Sequence, residues 1–164
     1  MTFIKSKFFK SINKTNATGQ EISTSYVEIE GSRVSIEKLN ASSDLYYFFS
    51  FNSSVRYTGS SVYDRTFLHV KLQKSNDNFS SNIVDVTGCN YNFSTDTGST
   101  TTYEHINKIN NVLFIVQNTN NDSLRLIARS WSSNHISAVN ITHYFDGLSN
   151  TNKFYYPTLI VKEL

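Results

Sequence analysis

Between residue 22 and the C-terminus, apolar side chains alternate with polar ones in short runs, and a cluster of Asn, Ser, Gly or Asp breaks the run roughly every ten residues. An extended chain puts successive side chains on opposite faces, so this pattern predicts half-buried strands joined by turns. Asn and Ser make up about a quarter of the chain and compete with the helical backbone for hydrogen bonds, which argues against long helices. The first unit is Ser25–Glu30, with Val27 and Ile29 on one face and Tyr26, Glu28 and Glu30 on the other, closed by a turn at Gly31-Ser32. Val34, Ile36 and Leu39 outline a second short strand, Asn40–Asp44 a loop, and Leu45–Phe51 a strand buried on both faces. After a turn at Ser53–Ser61, Thr66–Leu72 should send Leu68, Val70 and Leu72 inward and His69 and Lys71 outward. Asn76–Ser81 reads as a loop, Ile83–Val86 as a short strand, and Asn90–Thr102 as the longest, variable loop. Val112–Gln117 and Leu124–Trp131 flank an Asx-rich turn and are expected to pair as a hairpin. Ile136–Phe145 and Tyr155–Leu164 complete the set, with Pro157 placed where a strand opens and a missing amide is tolerated.

The count is about nine or ten strands, which predicts an all-β, two-sheet jelly-roll or Greek-key sandwich, with a closed barrel as the alternative. Residues 22–164 form the sandwich; residues 1–21 are either an arm anchored by Phe3, Ile4, Phe8 and Phe9 or a first edge strand. The 164 residues suffice for one hydrophobic core, and 10 Tyr and 12 Phe supply apolar area that the low aliphatic content does not.

Charge and chemistry remove several function classes. The 15 basic and 13 acidic residues are interspersed, so nucleic acid is not an expected partner. Cys89 stands alone, which excludes an internal disulfide framework and suggests a half-buried, inert thiol. No apolar run is long enough for a membrane helix and the first ten residues lack the core of a secretory signal, so a soluble protein made in a cytosol is expected, without membrane insertion. Asn-X-Ser/Thr triplets such as those at Asn52 and Asn92 follow from the abundance of Asn, Ser and Thr and are not expected to be glycosylated. His69, His105, His135 and His143 show no metal-ligand spacing, there is no nucleophile elbow, and Asp64, Asp85, Asp96, Glu104 and Asp146 read as turn formers. The expectation is therefore no enzyme activity, no catalytic residues, no metal and no cofactor.

Arg125, Arg129 and Trp131 alternate with apolar residues on one strand, and Arg and aromatic side chains are enriched where subunits meet. In one phase Leu124, Leu126 and Ala128 face the core while Arg125, Ile127, Arg129 and Trp131 share the other face as a subunit contact. In the other phase Ile127 and Trp131 are buried and the arginines lie at the rim. Tyr91 and Tyr103, with Trp131, are candidate ligand-contact residues on loops that stack on sugars.

The run Phe8-Phe9-Lys10-Ser11-Ile12, the strand Ile22 to Glu30 with its Ser23-Thr24-Ser25-Tyr26-Val27, the stretch Val34 to Phe49, and the ending Tyr156-Pro157-Thr158-Leu159-Ile160-Val161-Lys162-Glu163-Leu164 resemble a recurrent domain of marine phage and other virion proteins. Such domains are similar to the jelly roll of tumour necrosis factor and complement proteins and occur on tail-fibre tips, head fibres and capsid decorations. The resemblance implies a virion structural protein, most simply a small capsid or head-decoration or head-fibre component. It would form homo-oligomers, with trimers favoured, and meet other capsid or tail proteins. Fibre tips follow a long shaft, whereas here the domain starts close to Met1, which favours a stand-alone component. The alternative is a receptor- or glycan-binding module of a tail fibre, recognising a host surface glycan.

Overall fold

The computed structural model describes residues 7–9, 20–38, 40–57, 64–97, 105–117, 119, 122–132, 136–142 and 157–164. These form eleven strands: β1 (Lys7–Phe9), β2 (Gln20–Ile22), β3 (Val27–Glu28), β4 (Val34–Ser35), β5 (Leu45–Tyr57), β6 (Asp64–Ser75), β7 (Ile83–Thr97), β8 (His105–Val116), β9 (Ser123–Ser132), β10 (Ile136–Thr142) and β11 (Thr158–Glu163). Every ladder is antiparallel. In the first sheet β5 is central. Its full length pairs with β8 on one side, while the other side is shared end to end by β11 and β10, which are flanked in turn by β1 and β2. The second sheet runs β7-β6-β9, with β3 and β4 both on the far edge of β9. Counting β1/β2, β3/β4 and β10/β11 as split strands leaves eight positions, ordered 1-8-3-6 in one sheet and 2-7-4-5 in the other. This is a jelly roll.

Alternation places the core. Leu45, Tyr47, Phe49 and Phe51 of β5, Val112, Phe114 and Val116 of β8, and Leu159 and Val161 of β11 pack against Leu68, Val70 and Leu72 of β6 and Leu124, Leu126 and Ala128 of β9. Tyr47 is the polar member of this layer, and its hydroxyl crosses to the other sheet to donate to the Ser32 carbonyl at 2.6 Å. Ser32 is itself fully buried in the turn between β3 and β4; its Oγ donates to the Ile29 carbonyl at 2.6 Å and accepts the Leu126 amide at 3.0 Å. The pair thus ties β5, β9 and the β3–β4 corner together in the apolar interior, and burial pushes the Tyr47 phenol well above its ordinary pKa of 10.0.

Four sequence expectations are corrected. Strand β5 is buried on one face only up to Phe49, since Tyr46 and Phe48 are half-buried, and it runs to Tyr57 through the expected turn because its Ser and Asn residues are held in ladders with β8 and β10. The expected loop from Asn90 is strand as far as Thr97, where β7 pairs with β6; residues 98–102 lie outside the described residues, as do 143–145 and 155–156. Tyr91 therefore sits on a strand, not a loop. It stacks on Phe93 with centroids 5.3 Å apart and lies 6.5 Å from Phe114, capping the core where β7 and β8 come together. Finally, β8 and β9 are not a hairpin. They lie in opposite sheets, so the Asx-rich segment between them crosses the sandwich, and both strands turn their apolar faces toward the same core. Of residues 1–21, Lys7–Phe9 and Gln20-Glu21 are described, as outer strands of the first sheet; Phe3 lies outside the described residues.

One bulge sets the path of β7. Lys71 pairs with Asn90 and Gln73 with Asp85, so Val86–Cys89 stand opposite Leu72 alone. Gly88 absorbs the kink at φ +75. Cys89 is thereby turned inward, and burial raises its thiol pKa.

Two substitutions test these devices. Tyr47→Phe should destabilise the domain by about 1–2 kcal/mol in urea denaturation, because it leaves the buried Ser32 carbonyl without its donor while keeping the ring. Gly88→Ala should cost about 1 kcal/mol through its positive φ alone, since an added Cβ meets nothing within 4 Å; Gly88→Asn should cost less.

Candidate functional site

The outer face of the second sheet is built from rungs dictated by register. Trp131, Phe67 and Ser94 form one; Arg129, His69 and Asn92 the next; Ile127, Lys71 and Asn90 a third, with Glu28 added from β3; Arg125, Gln73 and Asp85 a fourth. Leu124, Leu126 and Ala128 are fully buried, so β9 takes the phase that puts Arg125, Ile127, Arg129 and Trp131 on the outer face. Ile127 is nevertheless buried there by its neighbours, whereas Trp131 is 61% exposed.

The two arginines have different work. Arg125 donates from Nε and Nη2 to Gln73 Oε1 at 3.1 and 3.0 Å and from Nη1 to Glu28 at 3.0 Å, while its guanidinium lies 4.2 Å above the Phe79 ring. Arg33 joins the same Glu28 carboxylate and covers the same ring at 5.0 Å. Burial raises the Glu28 carboxyl, but the hydrogen bonds from Arg33 and Arg125 outweigh it and hold it below the ordinary range. Phe79 is presented by a turn in which Asn78 and Phe79 have φ of 56 and 67, with the Ser80 amide donating to the Asp77 carbonyl. The Asp77 carboxylate, held well below its usual range by the hydroxyls of Ser75 and Ser81 and by backbone amides, keeps that turn in place.

At the other end of the face, the Tyr26 hydroxyl hydrogen-bonds His69 Nδ1, and the Tyr26 ring carries Arg129 at 4.9 Å and Lys71 at 4.8 Å. Lys71 donates to Asp85 at 3.1 Å, and that carboxylate also accepts from Gln73 at 2.9 Å. Arg129 has no carboxylate partner among the described residues. Burial, then the charges of Arg129 and Lys71, depress the His69 imidazole below its ordinary pKa of 6.5. Beside this cluster lies an open groove of about 450 Å³ lined by Thr24, Phe67, His69, Asn92, Arg129, Ser130 and Trp131, with Phe67 and Trp131 rings 5.8 Å apart forming its aromatic side.

The first sheet presents the opposite chemistry. On its outer face Tyr46 stands beside Ile115 and Phe48 between Leu113 and Ile160, and Leu113 and Ile115 are 48% and 45% exposed. The backbone of β1 is outermost on this side, where Phe8 pairs with Ile160. The interface residues read from the sequence thus divide between two sheets: Phe8 and Phe9 belong to the first, Arg125, Arg129 and Trp131 to the second. Sequence reasoning missed Phe67, His69, Asn92 and Thr24 as companions of Trp131, because only the pairing of β6, β7 and β9, with the Ser130 amide bonded to the Ser23 carbonyl, brings them together. Tyr103 and His143 lie outside the described residues. Among the described residues no three His, Cys, Asp or Glu side chains converge in a metal-binding arrangement.

No protein-family model matches the chain, and comparison with curated proteins yields no match.

The division of labour between the arginines is measurable. Arg125→Ala should destabilise the domain by about 2 kcal/mol, through lost charge-assisted hydrogen bonds and the stack on Phe79. Arg129→Ala should stay within about 0.5 kcal/mol of the parent in the same urea titration.

Proposed function

We propose that this chain is a structural jelly-roll protein of the virion class, a capsid-decoration or head-fibre component that works by assembling copies of itself and docking on other capsid or tail proteins. The observation that carries the reading is the apolar outer face of the first sheet. Tyr46, Phe48, Leu113, Ile115 and Ile160 lie side by side across three strands, and Leu113 and Ile115 remain about half exposed. A contiguous apolar sheet face of this kind is disfavoured in water and is a usual mark of a protein interface. The jelly-roll strand order and the resemblance of the segments around Ser23–Val27 and Tyr156–Leu164 to virion domains support the same reading. In it the faces close around a symmetry axis, with three copies favoured, and the β1 backbone at Phe8 and Phe9 borders the contact.

Light scattering on the purified protein should give three times the 18.7 kDa mass of one chain. The double substitution Leu113→Lys and Ile160→Lys should reduce it to one chain with an unchanged far-ultraviolet spectrum. A parent protein that stays monomeric at every concentration tested would overturn self-assembly through this face.

A further inference from the structure

Trp131 is the one tryptophan in the chain, and it is 61% exposed beside Phe67 at a tilt of 36°. Keeping an indole in water forgoes the burial that such a large apolar side chain normally gains. The rings border a groove whose remaining lining is polar: Arg129, Asn92, Thr24, Ser130 and His69. Arg129 is two residues from Trp131 on β9, hence roughly 7 Å along the strand on the same face. Its stack on Tyr26 fixes the guanidinium without neutralising it, while the carboxylates of Glu28 and Asp85 are already engaged by Arg33, Arg125, Lys71 and Gln73. The groove therefore offers two tilted aromatic rings, a cation with no carboxylate partner among the described residues, and several hydroxyl-compatible donors and acceptors on one sheet face.

From this juxtaposition we infer that the groove over Phe67 and Trp131 binds an acidic saccharide, a pyranose that carries a carboxylate or sulfate. The weakly positive C–H face of the ring lies on the electron-rich aromatic faces, the acid group meets Arg129, and the ring hydroxyls meet Asn92, Thr24 and His69. A neutral sugar leaves the Arg129 charge unanswered, and a purely apolar ligand leaves the polar wall unpaired. The inference goes beyond the assembly reading and is independent of it, since the groove and the apolar face belong to different sheets.

Fluorescence of Trp131 reads the groove directly, in whatever assembly state the full chain adopts. Acrylamide should quench it freely; an indole shielded in the purified protein means that a subunit covers the groove and overturns the inference. Titration with tetragalacturonate and with a heparin-derived tetrasaccharide should then give a saturable change with at least one of them, distinguishing carboxylate from sulfate. The fully methyl-esterified tetragalacturonate should bind at least about tenfold more weakly than the acid if the carboxylate is read, and Arg129→Ala should weaken the preferred acidic probe by about tenfold. Trp131→Ala, followed by calorimetry, should abolish binding of that probe while the urea midpoint stays near the parent's. No saturable response to either acidic probe at about 10 mM, where even very weak sites fill, would overturn the inference, as would an Arg129→Ala variant that binds them unchanged.

Discussion

Strand β5 hydrogen-bonds to more of the chain than any other described element: β8 claims one edge from Leu45 to Arg56, and β11 and β10 divide the other edge between them. A backbone group in the middle of an apolar sandwich must find its partner there, so a thirteen-residue strand imposes an extended path on three others. Once β5 is in place, its alternation aims Leu45, Tyr47, Phe49 and Phe51 at the second sheet. Among them Tyr47 adds a directional constraint, because its hydroxyl must reach the buried Ser32 carbonyl. Apolar packing tolerates small displacements of one sheet over the other; a buried hydrogen bond between them tolerates fewer.

The two outer faces then diverge because their residues do. Across the first sheet Tyr46, Phe48, Leu113, Ile115 and Ile160 face outward, and Leu113 and Ile115 among them stay about half exposed. Across the second, apolar surface is enclosed by long charged side chains at Ile127, which lies between Lys71 and Glu28, and is stacked beneath a cation at Tyr26 and Phe79. Trp131, 61% exposed beside Phe67, stands apart from them.

Strands that alternate cleanly were legible from the residues alone. Thr66–Leu72 is one, where Leu68, Val70 and Leu72 are buried and His69 and Lys71 are not. What alternation cannot carry is the identity of the opposing strand. Val112–Val116 and Leu124–Ala128 show the same pattern whether they form a hairpin or face each other across a core, and the structure takes the second course. Of β7 only Ile83–Val86 was legible as strand, because the inward positions beyond it, Cys89, Tyr91 and Phe93, are separated by Asn90 and Asn92 and follow a bulge that resets the phase. For the groove, Arg129 and Trp131 were visible as a same-face pair, subject to a choice of phase that only the burial of Leu124, Leu126 and Ala128 resolves. Their partners on β6 and β7 depend on register, a property of several segments at once.

The shared edge of β5 also governs where this chain can change length. β10 leaves the edge with Thr142 opposite Asn52, and β11 rejoins it with Thr158 opposite Ser50, two residues further along the same strand. The stretch between is therefore anchored at two neighbouring points, and every described rung of either ladder lies outside it; the entropy of closing such a segment grows only logarithmically with its size. At the seam between β10 and β11, added length is thus cheap in closure entropy, because the two anchors on β5 stay two residues apart whatever the segment's size.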